Sequence, residues 1–553
     1  MLILIFSVLI GFLIGAQSDY ACKSYAYNSY SMNDKTINSS FGGYIHPNQY
    51  SIDVLTMKSY FSINPSSRIL SAEVNLKITF KTYIDSLHLN FRKENMLDVE
   101  SFKVNGIETP FQRSEYHVAV GLKSATTDTI TVSVKYSGKI RRTLDKGFCY
   151  GKLNEFPIYF TNSQPNYSSY WLIANDIPSD KVLSSISIEN DSAFVSLSNG
   201  VQTEYYNLGD RRVYKYDSRY PIAPYLMVIY SAPYSKIIDS TLSVSGETIR
   251  LEYYVNPKKK NELVNKLHQH KQWMKFFEEK IGPYPFREEK YGVAEFLWNL
   301  GAMENQTITG VGSIFMTEKG FDNDLMIHEL VHSWWGNSVT VEYWDDIWLH
   351  EGFATYWALL AVEDEEYLRK QLQSSSLEPF EGSVYAPVDD YFGSTVYDKG
   401  AWVLHMMRMD VGDSMFYHIM QKFYKEHAYN SVTTKDFITL VESETKRDWS
   451  QFFEQWVFAA CDRPELNFLW CYQDSTQKGV EIKVKQKQLC KTLFKFTVPI
   501  FILYEDGTSE EISYTVLDKE DTIIIQRNKI IKEIDFDPQS TILMNCNYRF
   551  YEK

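Results

Sequence analysis

From about residue 44 to 233, apolar and polar side chains alternate, as in AEVNLKITF and TITVSVKYSG, with turn residues between the runs. Successive side chains of a strand point to opposite faces, so a period of two marks strands with one buried face. The segment predicts an antiparallel β domain. From about 234 to 464 the period lengthens. ELVNKLHQHKQWMKFFEEKI and KGAWVLHMMRMDVGDSMFYHIMQKFYKEH carry their apolar residues at helical spacing. Short strands precede residue 301, so this middle region reads as α+β. From about 465 the alternation returns in GVEIKVKQKQL, FTVPIFILYEDG and DTIIIQR, with the spacing of a small β-sandwich. The expected fold is multidomain α+β, with domains at 44–233, 234–464 and 465–553.

The first residues follow neither pattern. Leu2 to Ala16 form an apolar run of fifteen. That is short for a membrane span and suits the core of a signal peptide, here residues 1–16. No Lys or Arg precedes the run, so an uncleaved membrane anchor is the alternative. A polar leader rich in Tyr, Ser and Asn follows over 17–43. The reading is a secreted or periplasmic protein.

Composition narrows the partners. The formal charge is −14, and no basic stripe offers a nucleic acid its counter-charge. The run PKKK at 257–260 reads as a solvated loop or a helix start. Six cysteines occur, four of them in the last hundred residues, so one or two disulfides there are expected without a defined connectivity. Asn38, Asn166, Asn190 and Asn305 each begin an N-x-Ser/Thr sequon.

The candidate chemistry lies in the middle region. His328, Glu329 and His332 stand in HELVH, and Glu351 follows in WLHEGFATY. Helix positions i and i+4 share a face, so His328 and His332 can aim two imidazoles at one ion. Imidazole nitrogens suit zinc, and Glu351 from a second helix would supply a carboxylate as third ligand. Three ligands leave the fourth position to water, and Glu329 would face that water as general base. His350 does not share a helix face with Glu351 and reads as a neighbour of the site. Upstream, GAMEN at 301–305 would put the Glu304 carboxylate at a strand edge, where backbone groups can also hold an extended peptide.

GAMEN, HELVH and WLHEGFATY, in this order and spacing, resemble the zinc aminopeptidases of the gluzincin type, family M1. YPFREEKYGVAEF, GNSVTVEYWDDIWLHEG and TVYDKGAWVLHMM match the same family, and the resemblance runs from about Tyr44 to the C-terminus. It implies a thermolysin-like catalytic domain, one zinc per chain, and peptides with a free N-terminus as substrates. Glu304 would bind the substrate α-amino group, beside Gly301, Ala302, Met303 and Asn305. Tyr397 in VYDKGA would hydrogen-bond the developing oxyanion. Gln164, twelve positions before Asp176, would lie at the first side-chain pocket near the substrate amine. Ser169 stands where many members carry Arg, and Ile173-Ala174 replace an aromatic or a Pro-Cys pair, so the shape of that pocket is left open. Many members continue into a large helical domain, so a more open cleft is expected here. Two other classes remain: a catalytically silent relative that binds peptides or a partner, and a thermolysin-like endopeptidase.

Overall fold

The alternating segments pair into sheets in the computed structural model. It describes residues 45–551 apart from 141–145, 154, 265, 318–319, 378 and 388–390. The expected signal peptide, the polar leader, Cys22 and Asn38 lie outside the described residues. Among the described residues, no helix is long and apolar enough to cross a membrane.

The chain divides into two compact units. Among the described residues, one takes those from 45 to 344 together with 420–433; the other takes those from 345 to 419 and from 434 onward.

In the first unit, Ile52–Asn64 lies inside an eight-stranded sheet, antiparallel to Ile69–Phe80 and parallel to Leu183–Asp191. Phe61, Ile63, Val74 and Leu76 fall on the buried face, as the alternation predicts. A four-stranded sheet holds Val195–Leu197, Tyr230–Ala232, Phe156–Asn162 and Gly147–Leu153 in that order.

After residue 234 the sheet character changes. Five strands line up as Ser235–Leu242, Thr248–Val255, Tyr291–Phe296, Ile308–Gly312 and Ala302–Met303. Two of the pairings are parallel, Leu251 with Tyr291 and Gly292 with Ile308. All six residues of Tyr291–Phe296 are buried, the mark of a strand covered on both faces. Ala302–Met303 is an edge strand, so Glu304 leaves the sheet at its rim.

The α-helices lying wholly in this unit, among the described residues, are α1 (Lys260–Leu263), α2 (Gln269–Lys280) and α3 (Asn323–Val331). The PKKK run does start a helix, but it is not wholly solvated. Lys259 Nζ reaches the fully buried Glu295 carboxylate at 2.6 Å and the carbonyls of Ser313 and Met316. A buried carboxylate needs such a partner.

The second unit contributes α4 (Trp348–Leu360), α5 (Glu365–Ser375) and α6 (Gly400–Val411). The long periodic segment from 400 to 427 is two helices. Gly412, at φ 78°, ends α6 before α7 (Asp413–His427) begins. That backbone conformation is open to glycine and strained for most other residues.

Beyond Glu465 the second unit forms two sheets. One orders Glu520–Gln526, Gly479–Gln486, Glu465–Tyr472 and Asn545–Phe550; the other orders Ser509–Val516, Phe496–Tyr504 and Ile531–Phe536. Phe468 of the first stacks on Phe536 of the second at 4.0 Å. Cys461 and Cys490 form a disulfide, Cys149 and Cys471 are buried thiols, and Cys546 is a half-buried thiol.

Two of the sequons are closed by the fold. Asn190 is 1% exposed and donates to Ser231 Oγ at 2.9 Å, and Asn305 is also buried. Neither amide is open to a glycosyl donor in the folded chain.

Candidate active site

Asp322 caps α3, its carboxylate accepting from Leu325 N, and the helix then carries LMIHELV. An acidic cap complements the positive helix N-terminus. His328 and His332 follow one turn apart. Their Nε2 atoms lie 3.0 Å apart, and His332 Nδ1 is 2.9 Å from the Trp335 carbonyl oxygen. A carbonyl only accepts, so Nδ1 carries the proton and Nε2 presents its lone pair. A histidine oriented through its second nitrogen is the usual arrangement of a metal ligand.

The ligand atoms of His328, His332 and Glu351 all lie within 4.8 Å of one another, and no other group of this kind occurs among the described residues. Two imidazoles and one carboxylate fit zinc. His332 and Glu351 are buried and His328 is half-buried. Glu329, on α3 between the histidines, is 5% exposed.

Glu351 is placed by α4. At the start of that helix, Trp348 Nε1 donates to Thr434 Oγ1 at 2.8 Å, and Thr434 N donates to Asp346 at the same distance. The glycine after Glu351 has a packing reason. A Cβ on Gly352 would stand 2.9 Å from Gly400 Cα and 3.1 Å from the Val396 carbonyl. Gly352 and Gly400 therefore let α4 touch the segment that carries Tyr397. That residue is half-buried in one π turn, Thr395–Lys399, just ahead of α6. Single π turns inside helical segments recur at functional sites. Burial raises the Asp398 carboxyl to about 7 and lowers the Lys399 ammonium to about 7. Lys399 Nζ donates to the Cys461 carbonyl at 2.6 Å.

Glu304 is 3% exposed, and its Oε1 accepts from Gln164 Nε2 at 3.0 Å. The structure thus joins two site residues that are 140 positions apart in the sequence. Gln164 precedes Pro165 through a cis peptide bond.

The rest of GAMEN is held from beneath. Asn305 Oδ1 accepts from the Tyr230 hydroxyl at 2.8 Å, and its Nδ2 donates to the Leu226 carbonyl. Asn199 donates to the Gln306 carbonyl, and Gly200 N donates to Thr307 Oγ1. Gly301 and Met303 are buried and Ala302 is half-buried. Burial first, and then the charges of Glu329 and Glu304, push the Tyr230 phenol well above its ordinary range. It stays protonated and remains a donor to Asn305.

His350 is buried and is not part of the ligand group. Two residues near the site carry no sequence signal of their own. Asn337 donates through Nδ2 to the Glu304 carbonyl at 2.7 Å. Lys181 Nζ donates to the carbonyls of Asn337, Ser338 and Asn430.

Known proteins are similar to this chain in sequence and fold. Residues 265–456 match the Peptidase family M1 domain, and residues 46–226 match the Peptidase M1 N-terminal domain. Aminopeptidase N of Streptomyces lividans is 27% identical over 288 residues, 46% of this chain and 33% of that protein. A probable M1 family aminopeptidase of Encephalitozoon cuniculi is 25% identical over 422 residues, 68% of this chain and 46% of that protein. The chain thus spans between a third and a half of the length of these relatives. Among solved structures, Legionella pneumophila aminopeptidase A in complex with aspartic acid superposes with a TM-score of 0.79 at 17% identity. The match covers 91% of this chain and 60% of that one. The M1 zinc metallopeptidase of Deinococcus radiodurans superposes at 0.64 and 22% identity, over 74% of this chain and 93% of that one. At these identities the two structures show a shared fold.

Proposed function

The chain belongs to the peptidase M1 family, and on that premise we propose that it is a zinc-dependent aminopeptidase removing N-terminal residues from peptides one at a time. The observation that carries the reading is the convergence of His328, His332 and Glu351, with Glu329 between the two histidines. Its relatives are named aminopeptidases, which favours this activity over a silent binding protein or an endopeptidase.

Each residue has a task in this reading. His328, His332 and Glu351 would hold one zinc. When bound, zinc supplies Lewis acidity to the scissile carbonyl and makes water acidic enough to attack near neutral pH. Glu304 receives the substrate ammonium, with Gln164 orienting its carboxylate. Glu329 takes the proton from the attacking water and passes it to the leaving amine. Tyr397 donates to the oxygen on which charge develops, a bond stronger in the transition state than in the ground state. The GAMEN backbone would run alongside the extended substrate.

We read residues 234–464 as a thermolysin-like catalytic domain, 44–233 as the N-terminal β domain and 465–553 as a small β-sandwich. The apolar run Leu2 to Ala16 supports export, with the mature chain beginning at or near Gln17. N-terminal sequencing of exported material tests this, and Met1 on membrane-bound protein would favour the anchor.

The activity is tested with an amino-acid anilide and its N-acetylated form. The free-amine substrate should be cleaved and the blocked one should be poor, with activity abolished by a strong chelator. Equal turnover of the two would overturn the aminopeptidase reading.

A further inference from the structure

We infer that Asn337 is a positioning residue that sets the distance between the metal centre and the amine-binding carboxylate. The inference rests on the aminopeptidase reading of Glu304.

Asn337 lies in the turn that follows α3. Its backbone N donates to the carbonyl of His332 at 3.0 Å. Its side-chain Nδ2 donates to the carbonyl of Glu304 at 2.7 Å. One residue therefore ties the second zinc ligand to the residue that would bind the substrate amine. The two tied residues come from different places in the fold, the C-terminal cap of α3 and the rim of the five-stranded sheet. Asn337 is 3% exposed, so neither bond competes with bulk water.

The chemistry at this position is specific to an amide. The Glu304 carbonyl can only accept, so the atom facing it must donate. Asn337 Oδ1 is buried and has no hydrogen-bond partner among the described residues. The side chain thus serves its donor end alone, and buried polar groups are normally satisfied at both ends. Lys181 holds the turn itself. Its Nζ donates to the carbonyls of Asn337 at 3.2 Å, Ser338 at 2.7 Å and Asn430 at 3.2 Å. Asn337 therefore rests on a fixed platform when it reaches for Glu304.

An exopeptidase needs this spacing to be fixed. The ammonium is anchored at one point and the scissile carbonyl must arrive at another, one residue away. A shift of about 1 Å in such a geometry can cost about a hundredfold in rate.

The test is Asn337→Asp, which keeps size but sets an acceptor against the Glu304 carbonyl, with Asn337→Ala beside it. Zinc content, thermal unfolding, and kcat and KM on free and N-acetylated anilides are measured. Glu304 can still bind an ammonium in these variants, so KM for the free amine should hold within a few-fold. The carbonyl would be off register, so kcat should fall about ten- to hundredfold with zinc retained. An unchanged kcat in folded Asn337→Asp would overturn the inference. So would loss of zinc from that variant, which would assign Asn337 to holding α3 rather than the spacing. A proportionate fall on free and blocked substrates would also overturn it. A wild-type enzyme that does not distinguish free from blocked substrates would sink the reading of Glu304 itself, and this inference with it.

Discussion

At the scale of single residues, the proposed roles of ligand, base and anchor fall on separate side chains, and each can be removed alone. Glu329→Gln keeps size while deleting the proton acceptor. We expect kcat to fall by about 10²–10⁴ with one zinc still bound. A zinc-loaded variant that turns over within a few-fold of wild type would contradict the role of Glu329. Glu304→Ala removes a buried carboxylate whose bond to an ammonium is worth about 1.5–3 kcal/mol. It should lower kcat/KM on free-amine substrates by roughly ten- to two-hundredfold and leave N-acetylated substrates nearly unchanged. An equal loss on both would mean that Glu304 only braces its loop. The histidine pair was legible in the sequence because its geometry is local, with one helical turn separating His328 from His332. Asn337 was not. Its partner carbonyl is 33 positions away, and nothing in an Asn within a Gly-Asn-Ser turn announces which carbonyl it will meet. Asn190 misleads in the opposite direction, since a sequon is read from three residues while the fold buries Asn190 against Ser231, 41 positions away.

At the scale of elements, the contact between α4 and the start of α6 matters most. Gly352 and Gly400 meet backbone to backbone, and an added methyl has no flexible neighbour to displace. Gly352→Ala should cost about 1–3 kcal/mol, as overpacking usually does. Because Gly352 follows Glu351, zinc should also be lost to a competing chelator at lower concentration. An unchanged melting temperature and unchanged chelator resistance would show that the helices have slack. The alternation of residues 52 to 80 foretold strands correctly, because a period of two needs no distant information. Sheet order was beyond its reach. That Ile308–Gly312 pairs on one side with Tyr291–Phe296 and on the other with Ala302–Met303 depends on crossovers that leave no periodic trace. The break at Gly412 was hidden for another reason, since apolar spacing continues across it while the backbone does not.

At the scale of the whole molecule, burial of ionisable groups ties stability to pH. His405 is buried against Tyr356 and the Ser540 carbonyl, and burial lowers its pKa to about 4. The unfolded chain, with an ordinary histidine near 6.5, binds more protons between these values. His405 therefore contributes stability above about pH 6.5 that is lost as pH falls toward 4. Burial raises Asp180 to about 7, which acts in the opposite sense over much of the same range, so a difference measurement is needed. The melting temperature of His405→Gln relative to wild type should rise by a few degrees between pH 7 and pH 4. A constant difference would show that His405 does not titrate in this way.

The pairing of Thr340–Val341 with Ser431–Val432 sets the order of events in time. Thr340 N donates to the Asn430 carbonyl, and Lys181 holds that same carbonyl. The two strands are 431 − 340 = 91 residues apart, so they cannot meet until the later one has been made. At about 5–20 residues per second, a growing chain carries His328, His332 and Glu351 for several seconds before the strand that pairs with Thr340–Val341 is made. A chain released just short of residue 430 would include His328, His332 and Glu351 and would still lack the strand that pairs with Thr340–Val341.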